Sequence, residues 1–359
     1  MLEPLPFTMD DILKTTVARG ASDLHLTVGL PPMLRIAGKL TPTEYPRLMP
    51  DMTKRLIYSI LNDKQKEKFE KNWELDCYHG VRGFGRFRVN VFKQRGVVAA
   101  SLRAIPSSIP SREELNLPPI LDDIVKRPHG LILVTGATGM GKSTTLACLM
   151  DKINTEKASH IITIEDPIEY IHPHKKAMVN QRELGYDTLS WTSALRATLR
   201  EDPDVILVGE MRDLETMGGA LTAAETGHLV FSTLHTSDAA QTIDRIIDVF
   251  PPHQQQQIRI QLAAVIEAVV SQQLIPHVSG ISRVPACEVL IANSALRNLI
   301  REGKNHQIYN SLQTGSKHGM QTMEQSLYDL FRSKQISFEE AINHTMHPED
   351  LRRMIEGTG

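Results

Sequence analysis

An apolar run followed by a glycine-rich loop occupies residues 131–144, which read LILVTGATGMGKST. Leu131–Thr135 has the composition of a buried strand, and the stretch from Lys142 to about Ile153 has that of a helix. A strand, a G-x-x-x-x-G-K-[ST] loop and a helix in this order build a phosphate site, because the loop N–H groups and the positive end of the helix face one point. The stretch therefore predicts an α/β fold that binds a nucleotide.

The side chains of the loop suit this chemistry. Lys142 would place a positive charge on the β- and γ-phosphates, and the Ser143 hydroxyl is a predicted ligand of Mg²⁺. The glycines let the backbone curl so that successive N–H groups meet phosphate oxygens. The predicted nucleotide-binding residues are Gly136, Ala137, Thr138, Gly139, Met140, Gly141, Lys142, Ser143 and Thr144.

Patterns on both sides of the loop outline the rest of the fold. Short apolar runs at His160–Glu165, Val205–Gly209 and Leu229–Leu234 alternate with helical stretches, which predicts a mostly parallel sheet covered on both faces. Upstream, Asp51–Asn72 predicts one amphipathic helix, and residues 86–105 predict a hairpin with one charged face.

Four prolines between residues 106 and 119 mark a change in composition. Prolines at this density predict an extended linker. We therefore expect four parts along the chain: an N-terminal domain at 1–105, the linker at 106–119, a nucleotide-binding core at 120–292 and a helical region at 293–359.

The composition limits the class of protein. The chain has 359 residues, 40 Lys plus Arg, 42 Asp plus Glu and three cysteines. The near balance of charge gives no general attraction to nucleic acid or anionic lipid. Three scattered cysteines do not make a disulfide framework, and no apolar run approaches the roughly 18 residues of a membrane span. With no signal peptide evident, we expect a reduced, cytoplasmic protein that does not insert into a membrane.

Acidic residues follow two of the predicted strands. Glu210 comes after the apolar strand that begins at Asp204, where a carboxylate would reach Mg²⁺ or its water ligands; the alternative is a surface ion pair with Arg212. The strand at His160–Glu165 leads into the acids Glu165, Asp166 and Glu169. One of the three is expected to polarise water, and spacing alone does not choose among them.

Histidines and arginines complete the candidates. His228 and His235 flank one apolar strand, as sensors of the γ-phosphate or as polar residues at a strand end. Because they point to opposite faces of a regular strand, a shared metal is not expected. Arg86, Arg88, Arg103 and Arg245 are candidates for neutralising charge on the γ-phosphate, some from a neighbouring subunit. The alternative for each arginine is a solvated or ion-paired surface side chain.

Taken together, these segments resemble the secretion-type hexameric ATPases and, within them, the type IV pilus retraction ATPases of the PilT family. The resemblance spans nearly the whole chain. It is carried by an N-terminal ASDLHL, a GRFRVN strand, an acidic box, a Walker B segment, a histidine box and an ALRNLI motif, at residues 21–26, 85–90, 165–169, 202–213, 227–236 and 295–300.

The resemblance implies roles for individual residues. Glu169 would be the catalytic glutamate and Glu210 the Walker B acid that helps Ser143 to hold Mg²⁺. His228 and His235 would be functional residues rather than strand caps. Three arginines would face the nucleotide, the first two across a subunit boundary: Arg88, Arg103 and Arg245.

The family also implies an architecture and a function. It implies a RecA-like P-loop (ASCE) ATPase domain, an N-terminal PAS-like α/β domain and a helical C-terminal region. The activity would be Mg²⁺-dependent ATP hydrolysis by a homohexamer that powers pilus retraction. The expected partners are an inner-membrane pilus platform protein and a paralogous retraction ATPase, with the ring peripheral at the cytoplasmic face and no nucleic acid bound.

Some features depart from the family pattern or leave other functions open. Ala137 and Met140 replace the usual proline and serine of the loop, and Gly218 with Gly219 interrupts a predicted helix. A pilus-assembly or type II secretion ATPase usually carries a four-cysteine zinc insertion, which three cysteines do not build. The sequence also leaves open an accessory retraction paralogue and a RecA-like nucleic-acid translocase. An inactive scaffold is not favoured, because Lys142, Ser143, Glu169 and Glu210 are all present.

Overall fold

A computed structural model describes residues 5–106 and 108–357. The first four residues of the predicted N-terminal domain, Ser107 of the linker and the last two residues of the C-terminal region lie outside this range. The described chain divides into two compact units. One contains the residues up to Ser108 together with Glu169–Ile171, and the other contains residues 109–168 and those from His172 onward.

The first unit is built on an antiparallel sheet with the strand order β3-β2-β1-β6-β5-β4. Its helices pack on a core that includes Leu24, Leu56, Phe69 and Phe87. The elements are α1 (Met9–Ala18), β1 (Asp23–Leu26), β2 (Met33–Ile36), β3 (Lys39–Pro42), α2 (Pro50–Ser59), α3 (Asp63–Asn72), β4 (Glu74–Val81), β5 (Gly85–Gln94) and β6 (Val97–Ile105).

The single helix predicted over Asp51–Asn72 is wrong, because the structure has two helices there. Asn62 stands between them in an extended conformation and caps α3: its side chain accepts from the Gln65 N–H, and the Gln65 side chain accepts from the Asn62 N–H. This reciprocal cap satisfies two donors that a continuous helix would bond internally. The apolar periodicity continues across the break and conceals it.

The predicted hairpin is confirmed as β5 and β6. Phe87, Val89 and Val91 of β5 point into the core. Arg88 alternates with them on the other face and is exposed, directly across from Arg103 of β6. The hairpin therefore presents two arginines side by side.

The second unit contains the mostly parallel sheet that the sequence predicts. Its strand order is β13-β12-β7-β11-β10-β8-β9, in which only β13 runs antiparallel to its neighbour among the described strands. The elements are α4 (Leu121–Ile124), β7 (Gly130–Thr135), α5 (Lys142–Glu156), β8 (His160–Glu165), β9 (Met178–Glu183), α6 (Trp191–Thr198), β10 (Val205–Val208), α7 (Leu214–Glu225), β11 (Leu229–Leu234), α8 (Ala239–Asp248), α9 (Pro252–Val265), β12 (Ile266–Pro276) and β13 (Arg283–Ile291).

The order of these strands determines where functional groups meet. β7 and β11 are buried along their whole length, which explains their largely apolar sequences. Because β7, β11, β10 and β8 are parallel neighbours, the residues that follow them lie along one edge of the sheet. After β13 the chain is helical, in α10 (Ser294–Arg301), α11 (Ile308–Thr314), α12 (Met323–Arg332), α13 (Phe338–Asn343) and α14 (Pro348–Glu356).

The segment predicted as an extended linker is folded over much of its length. Arg112 donates to the Leu117 carbonyl at 2.8 Å and to the Asp122 carboxylate at 3.1 Å. Leu117 is buried in the core of the second unit. These contacts explain why the residues from Ile109 onward belong to that unit.

The two glycines of α7 have a packing role. A Cβ atom on Gly219 would lie 3.1 Å from Leu195 Cδ1 of α6, and one on Gly218 would contact the Phe250 ring at 3.9 Å. Gly219 therefore lets α6 approach α7 more closely than a larger residue would allow. Close packing offsets the low helix propensity of glycine at this point.

Candidate nucleotide site

The loop between β7 and α5 adopts a conformation that depends on glycine. Gly136, Gly139 and Gly141 have φ angles of 139°, 81° and 82°. Residues other than glycine rarely adopt such backbone angles, because their Cβ atom would clash with the backbone. A Cβ atom on Gly136 would also lie 2.3 Å from the carbonyl oxygen of Gln272 in β12. The loop therefore needs glycine both for its curvature and for its close approach to the neighbouring strand.

Lys142 begins α5 and lies against the loop. Its side chain is nearly buried, and its ammonium group donates to the carbonyl oxygens of Gly136 at 2.7 Å and Ala137 at 3.0 Å. Ser143 follows in the first turn of the same helix. This arrangement holds the positive charge of the lysine and the positive end of the helix at the loop, as binding of a polyphosphate requires.

Glu210 and His235 meet beside this lysine. Glu210 lies just beyond β10 and His235 just beyond β11, the adjacent strand, so both leave the sheet at the same edge. His235 Nε2 is 2.9 Å from Glu210 Oε1, and His235 Nδ1 is 3.5 Å from Lys142 Nζ. The imidazole thus lies between the lysine of the loop and the carboxylate of the neighbouring strand.

Arg212 contacts the other oxygen of Glu210 at 2.8 Å. Burial of Glu210 opposes its ionised form, but the hydrogen bond and charge of Arg212, together with His235, outweigh burial and lower the pKa of Glu210. The carboxylate is therefore charged at neutral pH. The ion pair with Arg212 that the sequence offered as an alternative is present, and it coexists with the contact to His235.

These residues fit a magnesium ion that also binds phosphate and water. Ser143 and Glu210 offer a hydroxyl and a carboxylate, the hard oxygen ligands that Mg²⁺ prefers. No group of three or more metal-binding side chains occurs among the residues that the structure describes. Mg²⁺ usually keeps several waters and takes substrate oxygens as ligands, so one hydroxyl and one carboxylate from the protein are compatible with it.

A cleft of about 170 Å³ opens beside the start of α5. Gly141 and Thr144 line one side of it, and Asn116 and Leu117 of the folded linker segment line another. The cleft therefore borders the loop and the first turn of α5, on either side of Lys142 in the sequence. It can accept a part of a nucleotide that extends beyond the phosphates.

The structure separates the three acids that the sequence left unresolved. Glu165 accepts hydrogen bonds from the Thr163 hydroxyl at 2.7 Å and the Gln181 amide at 3.1 Å, so it stabilises the end of β8. Asp166 is exposed, and after the larger effect of Glu210 its negative charge contributes to raising the pKa of Arg212. Glu169 is exposed and belongs to the first unit. Its catalytic role stays a prediction.

The structure does not bring His228 to the loop. His228 precedes β11 and His235 follows it, so six strand residues, or roughly 20 Å, separate them. The His228 carbonyl pairs with the N–H of Gly130, at the start of β7, whereas the loop follows the end of β7. His228 Nδ1 instead donates to the Ala223 carbonyl at 2.8 Å and so caps the end of α7.

The candidate arginines lie on different elements. Arg245 is exposed in the last turn of α8, in the second unit. Arg88 and Arg103 are paired across the hairpin of the first unit. Arg103 Nε contacts Asp23 at 2.9 Å, yet its side chain is 72% exposed. Action of either hairpin arginine across a subunit boundary stays a prediction.

Sequence reasoning missed Gln272 of β12, whose amide contacts the loop backbone. More than 130 residues separate it from the loop, so no local motif indicates the contact. Only the pairing of β12 with β7 brings the two together.

A parallel sheet with this loop, a nearly buried lysine and a carboxylate beyond a nearby strand defines a P-loop nucleotide-binding protein. Residues 112–346 match the family model described as type II/IV secretion system protein. The chain is 50% identical to the type IV pilus retraction ATPase PilT of Pseudomonas aeruginosa, over 95% of this chain and 99% of that one. It is 42% identical to the type IV pilus ATPase PilU of the same organism, over 97% and 93%.

A crystal structure of the pilus retraction motor PilT with bound ADP matches 97% of this chain and 100% of that chain, with a TM-score of 0.90 and 52% identity. The chain therefore belongs to the type II/IV secretion system family of ATPases and, within it, to the PilT family of pilus retraction ATPases. Membership implies nucleotide binding and ATP hydrolysis. No helix among the described residues is long and apolar enough to cross a membrane.

Proposed function

We propose that this chain is the ATP-driven motor that retracts type IV pili. The observation that carries the proposal is its identity of 50% to a retraction ATPase over nearly the full length of both chains. The contacts of His235 with Glu210 and Lys142 support ATP hydrolysis in the same protein, because they connect a phosphate-binding residue to a carboxylate at the edge of the sheet. The likeness to a retraction ATPase extends over nearly the full length of both chains, and it therefore favours retraction over assembly.

The proposed reaction is attack of water on the γ-phosphate of ATP, in line with the departing ADP. Glu169 orients the water or accepts its proton. Lys142, Arg245 and the hairpin arginines of a neighbouring subunit hold the oxygens on which negative charge builds up. When bound, Mg²⁺ neutralises part of the phosphate charge, and Ser143 with Glu210 would hold it. Because both Glu210 oxygens already contact side-chain nitrogens of Arg212 and His235, contact through a water ligand suits this site.

We further propose that the chain works as a homohexamer at the cytoplasmic face of the inner membrane, docked to a pilus platform protein. The exposed arginines of the first unit support a ring, since they are available to a nucleotide held by another copy. The cycle of hydrolysis would rotate the N-terminal domain against the motor of the neighbouring subunit.

Deletion of the gene in a piliated strain tests the proposal. Cells should become hyperpiliated and lose twitching. The wild-type gene should restore normal piliation and twitching, and Lys142→Ala should restore neither. Bald cells would instead indicate an assembly ATPase. Unchanged piliation, even with impaired twitching, would indicate an accessory paralogue or a function outside pilus retraction.

The catalytic assignment has its own test on the purified protein. Glu169→Gln should bind ATP with wild-type affinity and lose most of its turnover, by about 100-fold, the usual effect of removing a general base. Wild-type turnover in Glu169→Gln would show that another group activates the water.

A further inference from the structure

Gln272 lies at the centre of β12, next to β7, and its side chain is buried. The amide nitrogen donates to the carbonyl oxygen of Met140 at 2.7 Å, and the amide oxygen accepts from the Thr145 hydroxyl at 2.7 Å. The Met140 carbonyl can only accept, so the amide nitrogen must face it. The amide oxygen therefore faces Thr145, and both ends of the side chain are satisfied in only one orientation.

The contact with Met140 determines where a donor of the loop points. In a trans peptide the C=O and the following N–H point in opposite directions. Gln272 draws the Met140 carbonyl toward β12, so the N–H of Gly141 points away from β12. N–H groups directed into the loop are the groups that bind phosphate oxygens.

Further contacts make β12 the support of the loop at several points. The Gln272 carbonyl would clash with a Cβ atom on Gly136, at 2.3 Å, and the Gln272 amide nitrogen would lie 2.9 Å from one on Gly141. The Met140 sulfur accepts the N–H of Leu274 at 3.2 Å. Methionine at position 140 thus gives the loop a bond to β12 that a serine would not provide in the same way.

We propose that Gln272 is a positioning residue for the nucleotide: it orients the Met140–Gly141 peptide so that the Gly141 N–H binds a phosphate oxygen. The inference rests on the proposed function, since it requires that the loop bind ATP and ADP. Gln272 does not touch the nucleotide in this proposal and acts through the loop backbone.

The neighbouring residue offers a matched control. Gln273 is adjacent on the same strand, and its side chain points to the opposite face. There it donates to the His344 carbonyl at 3.1 Å and contacts His344 Nδ1 at 3.0 Å. Gln272→Met and Gln273→Met therefore make the same chemical change on the two faces of one strand.

The experiment measures ADP affinity and the steady-state parameters for ATP with the full-length protein. Gln272→Met should weaken ADP binding and raise KM for ATP by about tenfold, the effect of one lost hydrogen bond to a charged group, while kcat changes by less than about threefold. Gln273→Met should leave KM within about twofold, whatever it does to thermal stability. Gln272→Glu keeps the acceptor for Thr145 but removes the donor to Met140, so it should also raise KM about tenfold.

The outcomes separate the two proposals. If the wild-type protein binds ADP and both Gln272 variants bind it equally well, the positioning role is wrong. If Gln273→Met raises KM as much as Gln272→Met, the effect is a general one of β12 and the positioning role is also wrong. If the wild-type protein binds neither nucleotide, the proposed function fails and this inference fails with it. If Gln272→Met does not fold, the KM of Gln272→Glu decides.

Discussion

His235 connects the lysine of the phosphate loop with the carboxylate that follows β10. Its ring nitrogens lie 2.9 Å from Glu210 and 3.5 Å from Lys142. An imidazole can donate from one nitrogen and accept at the other, so it can transmit a change at the phosphate loop to the carboxylate. A shorter side chain such as asparagine would not reach both partners.

We therefore expect His235→Asn to reduce ATP turnover by about 100-fold and to change ADP affinity by less than threefold, since the loop itself stays intact. His228→Asn provides the comparison, because this residue lies at the other end of β11 and caps α7. It should lower the free energy of unfolding by about 1 kcal/mol and leave turnover of the folded protein within threefold. Equal loss of turnover in both variants would place His228 in the reaction through another subunit.

At the scale of secondary structure, Arg297 of the ALRNLI motif joins three elements. Its guanidinium donates to the carbonyls of Ala263 and Ala264 in the last turn of α9, at 2.8 Å and 2.7 Å. It also pairs with Glu267 of β12, which is mostly buried. The arginine therefore stabilises the end of a helix and the charge of an inward-facing acid. This motif residue has a structural task in addition to any contact with the pilus machine.

We expect Arg297→Ala to lower the free energy of unfolding by about 2 kcal/mol, because Glu267 keeps only its contact with Arg127 and two helix carbonyls lose their donor. Asn298→Ala, an exposed change on the same helix, should stay within about 0.5 kcal/mol of wild type. Denaturant unfolding of the three proteins measures the difference. If Arg297→Ala is as stable as wild type but retraction is lost in cells, the arginine acts on a partner instead.

A second buried acid makes the junction of β13 and α8 sensitive to pH. Burial, with smaller contributions from the charges of Asp238 and Glu324, raises the pKa of Glu288 from an ordinary 4.5 to about 8, although the hydrogen bond from the Ala239 N–H opposes the shift. Between pH 4.5 and about 8 the folded state keeps a proton that the unfolded state releases. The free energy of unfolding therefore falls as the pH rises through this window.

Glu288→Gln removes the titration and keeps an oxygen to accept the Ala239 N–H. The variant should match wild type at pH 5 and exceed its free energy of unfolding by about 3 to 4 kcal/mol at pH 8. Denaturation curves across this range test the expectation. Parallel curves for the two proteins would show that Glu288 titrates normally in the folded chain.

The same elements explain what the sequence could predict. The loop and the strands around it are encoded by adjacent residues, so the fold and the placement of Lys142 and Ser143 at the loop follow from local patterns. The break at Asn62 was hidden, because apolar periodicity outweighed a short capping signal. The contact of Gln272 with the loop depends on which strands pair, and no pattern along the chain specifies that order.

At the scale of the whole molecule, the candidate groups are divided between the two units. Lys142, Glu210 and His235 belong to the second unit, while Arg88 and Arg103 stand on an exposed face of the first. Two arginines directly opposite on a sheet repel each other, and only Arg103 has Asp23 beside it. An anion from outside the sheet would relieve this repulsion. In the proposed ring, a nucleotide held by a neighbouring copy of the chain would supply this anion.

Mixed rings test whether Arg88 acts between subunits. Arg88→Ala and Glu210→Gln should each have little ATP turnover alone, because every site lacks either the arginine or the acid. If the arginine comes from the neighbour, a 1:1 mixture assembled at random restores an intact pair at about a quarter of the subunit boundaries, with a matching fraction of wild-type turnover. If both groups act within one chain, no subunit in the mixture has both, and turnover stays at the level of the single variants. A mixture of Arg88→Ala with Arg103→Ala is the control, since every boundary then lacks one arginine and turnover should not recover.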